Sequence, residues 1–509
     1  MDLLSAMREE VRTVSRLADL IDVDERTVRL WLAKPDSRLH DDNIEKICNG
    51  ARELNIELEL YMSGPILWDR HRSYEENLQY DPGPAPRLGK PFKNHRYKFL
   101  GRELSSRIGA SASVLTSTSM RVRYLAQTGA DVLVYKTVRP VEYKPHLPPN
   151  ILYCSQSEPT LDPEACSKRQ IVVGDSSDAY SPAYGAMNRF GIPSRPVEVW
   201  QADFRSASGE LSRSQLLILS VVGASSRDDT EVALVRGFAK VAEYALAAGA
   251  EVIELNLSCP NCAGLEGSLY HNVPLVVAIC KELHNSGLKL VLKIGFMQGE
   301  ELRKFFVETA GYANAFSAIN SIPTIGLREG QHGPEPAWGK EGLKAGLSGK
   351  PILRCGLRCV QQLARLRSAE NARGIGLIGI GGVSTPSDVK SYLDSGADIV
   401  QATTAFLADP LFGIKARRFL DKQLASSQSS AEQQLDEARL NWNRASSQLE
   451  RELGGTQSTL RAVHEAALED FLSWENKHLE TISIGPRRAA PIPTAEEFKK
   501  RIRQRLARR

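Results

Sequence analysis

Nowhere in the 509 residues is there a run of the roughly 18 consecutive apolar residues that a membrane-spanning helix requires. The opening MDLLSAMREE has acids where a secretory leader would have a basic end and an apolar stretch. A cytoplasmic protein with no membrane partner is therefore expected. One-sided charge is missing too. The net charge is +4, too small for charge alone to indicate nucleic acid, although the chain closes on the basic KKRIRQRLARR. Cysteine is sparse: eight residues, at 48, 154, 166, 259, 262, 280, 355 and 359. In a cytoplasmic chain of this length they are expected to be reduced. Cys259-x-x-Cys262 and Cys355-x-x-x-Cys359 are half-patterns without a second pair of ligands, so no metal is expected.

What is present is an ordinary globular composition, 42% hydrophobic and 25% charged. Residues 1–65 read as helical and polar, and 66–97 as a linker containing DPGPAPRLGKP. Residues 98–422 alternate strand and helix, and 423–509 read as a helical extension rich in Glu, Gln, Arg and Ala. In the third segment eight apolar runs recur: RIGASASV, DVLVYK, LLILSVVG, VIELNLS, KLVLKIGF, FSAINSI, GLIGIGG and DIVQATT. Such runs suit strands buried on both faces of a parallel sheet. Helical stretches between most of them argue for βαβ units. The expected fold class is α/β, a (β/α)8 TIM barrel, with a doubly wound sheet as the alternative. About 80 residues separate the second run from the third and are expected to form loops over the barrel mouth, where active sites of this fold lie.

Polar residues collect where these runs end. They are Lys136; Asn256, Ser258, Cys259 and Asn261; Lys293; Asn320 and Ser321; and Gly381 with Gly382 before a helix starting near Pro386. Singly, each has an ordinary explanation: a Lys paired with a carboxylate, an Asn satisfying backbone, a tight glycine turn. Their appearance in order, at the same end of successive strands, points to a site. Backbone N–H groups at a glycine-rich turn and a helix N-terminus bind phosphate. A Lys beside a flavin stabilises the negative charge of reduction. Asn matches the amide groups of a uracil-like ring. A thiol beside such a ring can take or give a proton at carbon.

ELNLSCPN at 254–261 resembles the signature of the dihydroorotate dehydrogenases. ASASVLTSTSM at 110–120, YKTV at 135–138 and GLSGKPILRCGLRCV at 346–360 are more similar to the pyrimidine-reducing part of dihydropyrimidine dehydrogenase. The resemblance covers residues from about 98 to 420. It implies flavin mononucleotide (FMN) as cofactor and dihydroorotate or a related dihydropyrimidine as small-molecule substrate. It implies Cys259, as in the soluble class, as the base that removes a proton from substrate carbon while hydride leaves the neighbouring carbon for the flavin. By the same resemblance Lys136 and Lys293 contact the flavin, and Ala112, Ser113 and Thr137 line its ring or ribityl chain. Gly349, Gly381, Gly382, Thr403 and Thr404 hold its phosphate. Asn188, in NRFGIP, joins Asn256, Asn261, Asn320 and Ser321 around the pyrimidine. A homo-oligomer is expected.

The chain departs from the family pattern in places. Thr403 and Ser113 stand where Gly is common, and Pro323 replaces another Gly. VRPVEYKPHLPPNIL follows Lys136 in place of the usual Gly-Asn-Pro…Pro-Arg run, and residues 156–180 look inserted. These loops help to set substrate shape. A lesser alternative is a dihydrouridine-synthase-like RNA-modifying flavoenzyme. That family shows Asn-x-Gly-Cys-Pro and a later His-x-Arg pair, whereas Ser258 precedes Cys259 here and the pair is missing.

Residues 14–32, VSRLADLIDVDERTVRLWL, resemble a helix-turn-helix. Ala18 falls at the close helix approach, Asp22 in the turn, and Asp24 at the N-cap of the second helix. Arg26, Thr27 and Arg29 would then face DNA. This gives the competing function, a transcriptional regulator whose flavin barrel senses a pyrimidine or redox state. The bland counterpart is a small helical bundle, and the acids Asp22, Asp24 and Glu25 weigh against DNA. Leu435, Leu440, Trp442, Leu449 and Leu453 recur at helical spacing in the C-terminal extension, which suggests a packing hairpin. The basic tail after Pro493 reads as an amphipathic helix with a solvated face.

Overall fold

The computed structural model describes residues 7–8, 11–33, 46–47, 50, 54, 64–86, 92–93, 95–164, 170–223, 230–258, 264–330, 333–339, 344–453, 462–463, 465–474 and 493–507. The chain forms two compact units, Met1–Arg418 and Phe419–Arg509.

In the first unit a short antiparallel hairpin, β1 (Tyr97–Phe99) and β2 (Arg102–Leu104), precedes the first two barrel strands, β3 (Ile108–Ala110) and β4 (Val132–Val138). The chain then leaves the barrel for β5 (Ile151–Cys154), β6 (Gln170–Gly174) and β7 (Ala186–Asn188). It returns as β8 (Leu216–Val221), β9 (Val252–Asn256), β10 (Lys289–Ile294) and β11 (Ala315–Ala318). A second excursion forms β12 (Ile322–Gly330), β13 (Gly333–Pro336) and β14 (Lys344–Ser348), before β15 (Gly376–Ile380) and β16 (Ile399–Ala402). The eight strands β3, β4, β8, β9, β10, β11, β15 and β16 close into a parallel barrel. Each overlaps one of the eight apolar runs. Helices such as Glu231–Ala247 and Leu353–Ala369 cross between them. Every residue of β8 and β9 is buried, as expected where helices cover a sheet that has its own interior.

The lower barrel interior is apolar. Val132, Val134, Leu216, Ile218, Val252, Val291, Ala315, Ile378 and Ile399 pack with Phe99 and Leu104 of the hairpin. Burying such side chains contributes roughly 1.5–3 kcal/mol each. A Cβ on Gly376, the first residue of β15, would lie 2.5 Å from the Phe99 ring, so the hairpin plugs the N-terminal end. At the other end the two excursions form a second sheet. β12, β14, β7, β5 and β6 pair in a ring, and β13 is appended to β12. The stretch expected as loops over the mouth is thus partly a sheet.

At the N-terminus, helices Val14–Leu20 and Glu25–Ala33 bury Leu17, Ala18, Ile21 and Val28 with Met7 and Ile47. Asp22 takes a left-handed conformation (φ 50°) in the turn, and Asp24 Oδ1 accepts from Thr27 N at 2.9 Å. Residues 66–97, expected as a linker, carry a capped helix, Tyr74–Gln79, with Leu67, Trp68 and Asn77 buried.

The second unit contains most of helix Phe412–Leu453 together with helix Ala495–Leu506. Ala438, Ala445, Leu449, Val463, Phe471, Trp474, Phe498 and Ile502 form its core. Four cations of the basic tail find acidic partners within the unit. Asp470 pairs with Arg501 at 2.9 Å and Arg505 at 3.0 Å, and Glu452 holds Lys499 and Arg503. Among the described residues no helix is long and apolar enough to cross a membrane.

Candidate active site

Inward-facing positions on the barrel strands change from apolar to polar toward the C-terminal end. On β4, Val132 and Val134 are followed by Lys136; on β9, Val252 by Glu254 and Asn256; on β10, Val291 by Lys293; on β16, Ile399 by Gln401. Period two along a strand keeps these side chains on one face, so a strand that begins in the core delivers its polar end to the mouth. A cleft there encloses about 1090 Å³, its open mouth included, which suits a cofactor with a substrate beside it.

Besides Ser258, fourteen of the residues singled out from sequence line this one cleft: Ala112, Ser113, Lys136, Thr137, Asn188, Asn256, Lys293, Asn320, Ser321, Gly349, Gly381, Gly382, Thr403 and Thr404. Cys259 and Asn261 lie outside the described residues, while Ser258, immediately before them, lines the cleft. Arg26, Thr27 and Arg29 are elsewhere, on helix Glu25–Ala33. There Arg29 donates to Glu25 at 3.0 Å and Thr27 Oγ1 to Asp24 at 2.5 Å, so two of the three engage acids of their own helix end.

A chain of hydrogen bonds fixes the amides. Thr137 Oγ1 and Ser220 Oγ are 2.9 Å apart, and Asn256 Nδ2 donates to Thr137 Oγ1 at 3.2 Å. Asn320 Nδ2 donates to Asn256 Oδ1 at 3.1 Å and also to the Ser258 carbonyl, and its Oδ1 accepts from Ser321 N at 2.9 Å. Asn188 reaches the cleft from β7 of the upper sheet and donates to Gly346 O at 3.2 Å. Strands of the barrel and of the upper sheet therefore position one polar surface.

In the floor, Lys293 Nζ lies 3.6 Å from Glu254 Oε1, both side chains being buried. Neither Glu254 oxygen has a hydrogen-bond partner among the described residues, nor does the Gln401 amide or the Ser317 hydroxyl. Burying such groups without partners is unfavourable. Of these only Gln401 lines the cleft, and its amide is the candidate to meet a ligand. Sequence reading missed Glu254, Ser317 and Gln401. Their signal was a polar residue inside an apolar strand, two positions before the site residues Asn256 and Thr403 in the first and last cases.

One end of the cleft is a glycine-lined cradle. Gly349 has φ 83°, and a Cβ there would sit 2.7 Å from Gly185 Cα. Gly382 has φ 86°, and its Cβ would sit 2.3 Å from the Leu353 backbone nitrogen. Both positions exclude side chains. Helix Leu353–Ala369 starts against this turn, continuing from the short 3-10 turn Lys350–Ile352, whose Lys350 carbonyl accepts from Leu353 N. Ser111 and Thr403 hydroxyls bond to each other at the edge of the cradle.

The model of the family described as "Dihydroorotate dehydrogenase" matches residues 179–423. A protein named "Dihydroorotate dehydrogenase" from Dictyostelium discoideum is 30% identical over 372 residues, 70% of this chain and 98% of that protein. The "Dihydroorotate dehydrogenase B (NAD(+)), catalytic subunit" of Alkaliphilus oremlandii is 27% identical over 239 residues, 47% of this chain and 72% of that one. A "Putative dihydroorotate dehydrogenase A (fumarate)" from Solibacter usitatus is 29% identical over 245 residues, 47% and 73% of the two chains.

Proposed function

The chain belongs to the dihydroorotate dehydrogenase family, and on that premise we propose that it binds FMN and oxidises dihydroorotate or a closely related dihydropyrimidine. The observation that carries this reading is the cleft itself, in which an amide-rich surface, two lysines and a side-chain-excluding cradle converge at the C-terminal end of the barrel. The cradle suits the cofactor phosphate: Gly349, Gly381 and Gly382 leave backbone N–H groups accessible, and Thr403 and Thr404 add hydroxyls. Ala112, Ser113 and Thr137 would line the cofactor, with Lys136 and Lys293 supplying positive charge. The Gln401 amide, which lines the cleft and has no hydrogen-bond partner among the described residues, is a polar group that a flavin edge or its waters would satisfy. The bound flavin supplies a two-electron acceptor for the hydride that leaves the substrate ring.

The remaining work falls to the chain. Asn188, Asn256, Asn261, Asn320 and Ser321 orient the ring by pairing with its amide groups, because each Asn offers both donors and an acceptor. Cys259 removes the proton from the ring carbon next to the one that loses hydride. Lys136 and Lys293, which line the cleft, favour an anionic product. Replacing Cys259 by Ala should leave cofactor content unchanged and lower kcat by about 10²–10⁴-fold, the usual contribution of a general base. Steady-state turnover with a dye acceptor, together with the flavin absorbance of the purified variant, checks this. A Cys259→Ala enzyme of undiminished turnover removes the thiol from the mechanism.

A further inference from the structure

Phe190 follows Asn188 in NRFGIP and forms part of the cleft wall. Its other side is covered by a segment that precedes the barrel. The Trp68 ring meets Phe190 edge-on, with centroids 5.5 Å apart and planes at 88°. Tyr74 lies 6.2 Å from Phe190 and 5.6 Å from Trp68, so the three rings form one cluster. On its far side Trp68 faces the guanidinium of Arg121, 5.5 Å from the ring centroid. Arg121 is fully buried and reaches in two directions. It donates to Val114 O at 3.3 Å and Ser117 Oγ at 3.0 Å, in the loop whose Val114 lines the cleft, and to the Asn77 carbonyl of the preceding segment.

The segment is itself rigid. Asn77 Oδ1 accepts from Asp69 N at 2.9 Å, and its Nδ2 donates to Asp69 O at 2.7 Å and Ser73 O at 3.0 Å. Ser73 and Glu76 cap helix Tyr74–Gln79 reciprocally. Two walls of the cleft, the Val114 loop and the Phe190 loop, are thus tied through Trp68 and Arg121 to residues 67–77.

We propose that residues 67–77 are part of the substrate site, with Trp68 a positioning residue that holds Phe190 against the bound pyrimidine and so sets substrate affinity and ring selectivity. This rests on the pyrimidine reading of the cleft. Edge-to-face packing fixes the tilt of Phe190, and the buried Arg121 fixes Trp68 in turn. Trp68 touches neither the amide surface nor the cradle, so its loss acts on binding and leaves the chemical step unaltered. That pattern raises KM at constant kcat.

The test uses the full-length flavin-loaded protein and the variants Trp68→Ala, Trp68→Leu, Trp68→Phe, Phe190→Ala and the Trp68→Ala/Phe190→Ala double variant. KM and kcat for dihydroorotate and the dissociation constant of orotate, read from the flavin spectrum, are measured for each. Trp68→Ala should raise KM and the orotate constant about tenfold with kcat and flavin content unchanged, and Trp68→Phe should restore both to within about twofold. The double variant should be no worse than Phe190→Ala, because Trp68 acts through that ring. Trp68→Leu, which keeps the site filled with an apolar side chain, stands in if the alanine variant does not fold. A KM within twofold of wild type in Trp68→Ala or Trp68→Leu overturns the inference, as does a fall in kcat equal to the fall in kcat/KM. A wild type that neither turns over dihydroorotate nor binds orotate overturns the pyrimidine reading, and this inference with it.

Discussion

At the scale of single residues the floor of the cleft is the most demanding place in the protein. A lysine and a carboxylate share it out of contact with water, 3.6 Å apart, and the carboxylate oxygens accept no hydrogen bond among the described residues. Such a pair is weak evidence for stability, and its value lies in the field that it sets up. Lys293 alone would place a full positive charge beneath a bound cofactor, and Glu254 offsets it. The Glu254→Gln enzyme should therefore reduce its flavin at a potential higher by about 30 mV or more, the two-electron equivalent of 1.4 kcal/mol. Anaerobic titration against a reference dye measures it, and an unchanged or lower potential contradicts the assignment. Lys293 was legible in the sequence because it ends an apolar run, and Glu254 was not, although it lies two residues before Asn256 on the same inward face. A charged residue inside a buried strand reads as an anomaly until the barrel interior is known to be its destination. Trp68 was hidden for another reason: its partners Phe190 and Arg121 are distant in sequence and belong to other elements.

At the scale of elements, the barrel strands could be recognised because a strand buried on both faces is apolar for most of its length, and in these strands the polar residues collect toward the C-terminal end. The upper sheet could not. β6 alternates exposed and buried residues, β13 is GPEP, and β7 has three residues, so each lacks a pattern long enough to stand out. Yet β7 and β14 bring Asn188 and Gly346 together and complete the site. Contacts between elements also set the acid limit of the fold. Asp203, on helix Val197–Gly209, accepts from Tyr135 of β4 at 2.5 Å, from Arg195 at 2.7 Å and from Ser119 Oγ at 2.8 Å. Burial pushes its carboxyl up, but the Tyr135 hydroxyl and the Arg195 charge outweigh burial and hold it below the usual carboxylate range. A group whose folded value is depressed gives stability that is complete above its unfolded value, near 3.9, and lost as pH falls through the folded one. Asp203→Asn should cost about 2 kcal/mol at neutral pH, since it removes the charge that faces the half-buried Arg195, and should flatten the loss of stability below about pH 4. Urea unfolding of both proteins across that range tests this, and parallel pH profiles would remove Asp203 from the account.

At the scale of the whole molecule, a barrel carrying a polar cleft sits in a first unit that begins well before the barrel, and a helical unit follows it. Composition suggested the helical extension but not that the first unit begins before the barrel, because a linker and a packed brace can share the same proline- and glycine-rich neighbourhood. DPGPAPRLGKP lies just after the helix that supports the cleft wall. The basic tail, which reads in sequence as an amphipathic helix with a solvated face, meets Glu452 and Asp470 in the structure. The central claim is that the cleft binds FMN and takes hydride from a dihydropyrimidine ring. The most direct test is the absorbance of the flavin-loaded wild-type protein under anaerobic conditions as dihydroorotate is added. Stoichiometric bleaching of the oxidised flavin band is the predicted result. A band that stays unchanged at saturating dihydroorotate, with flavin bound, would contradict the account.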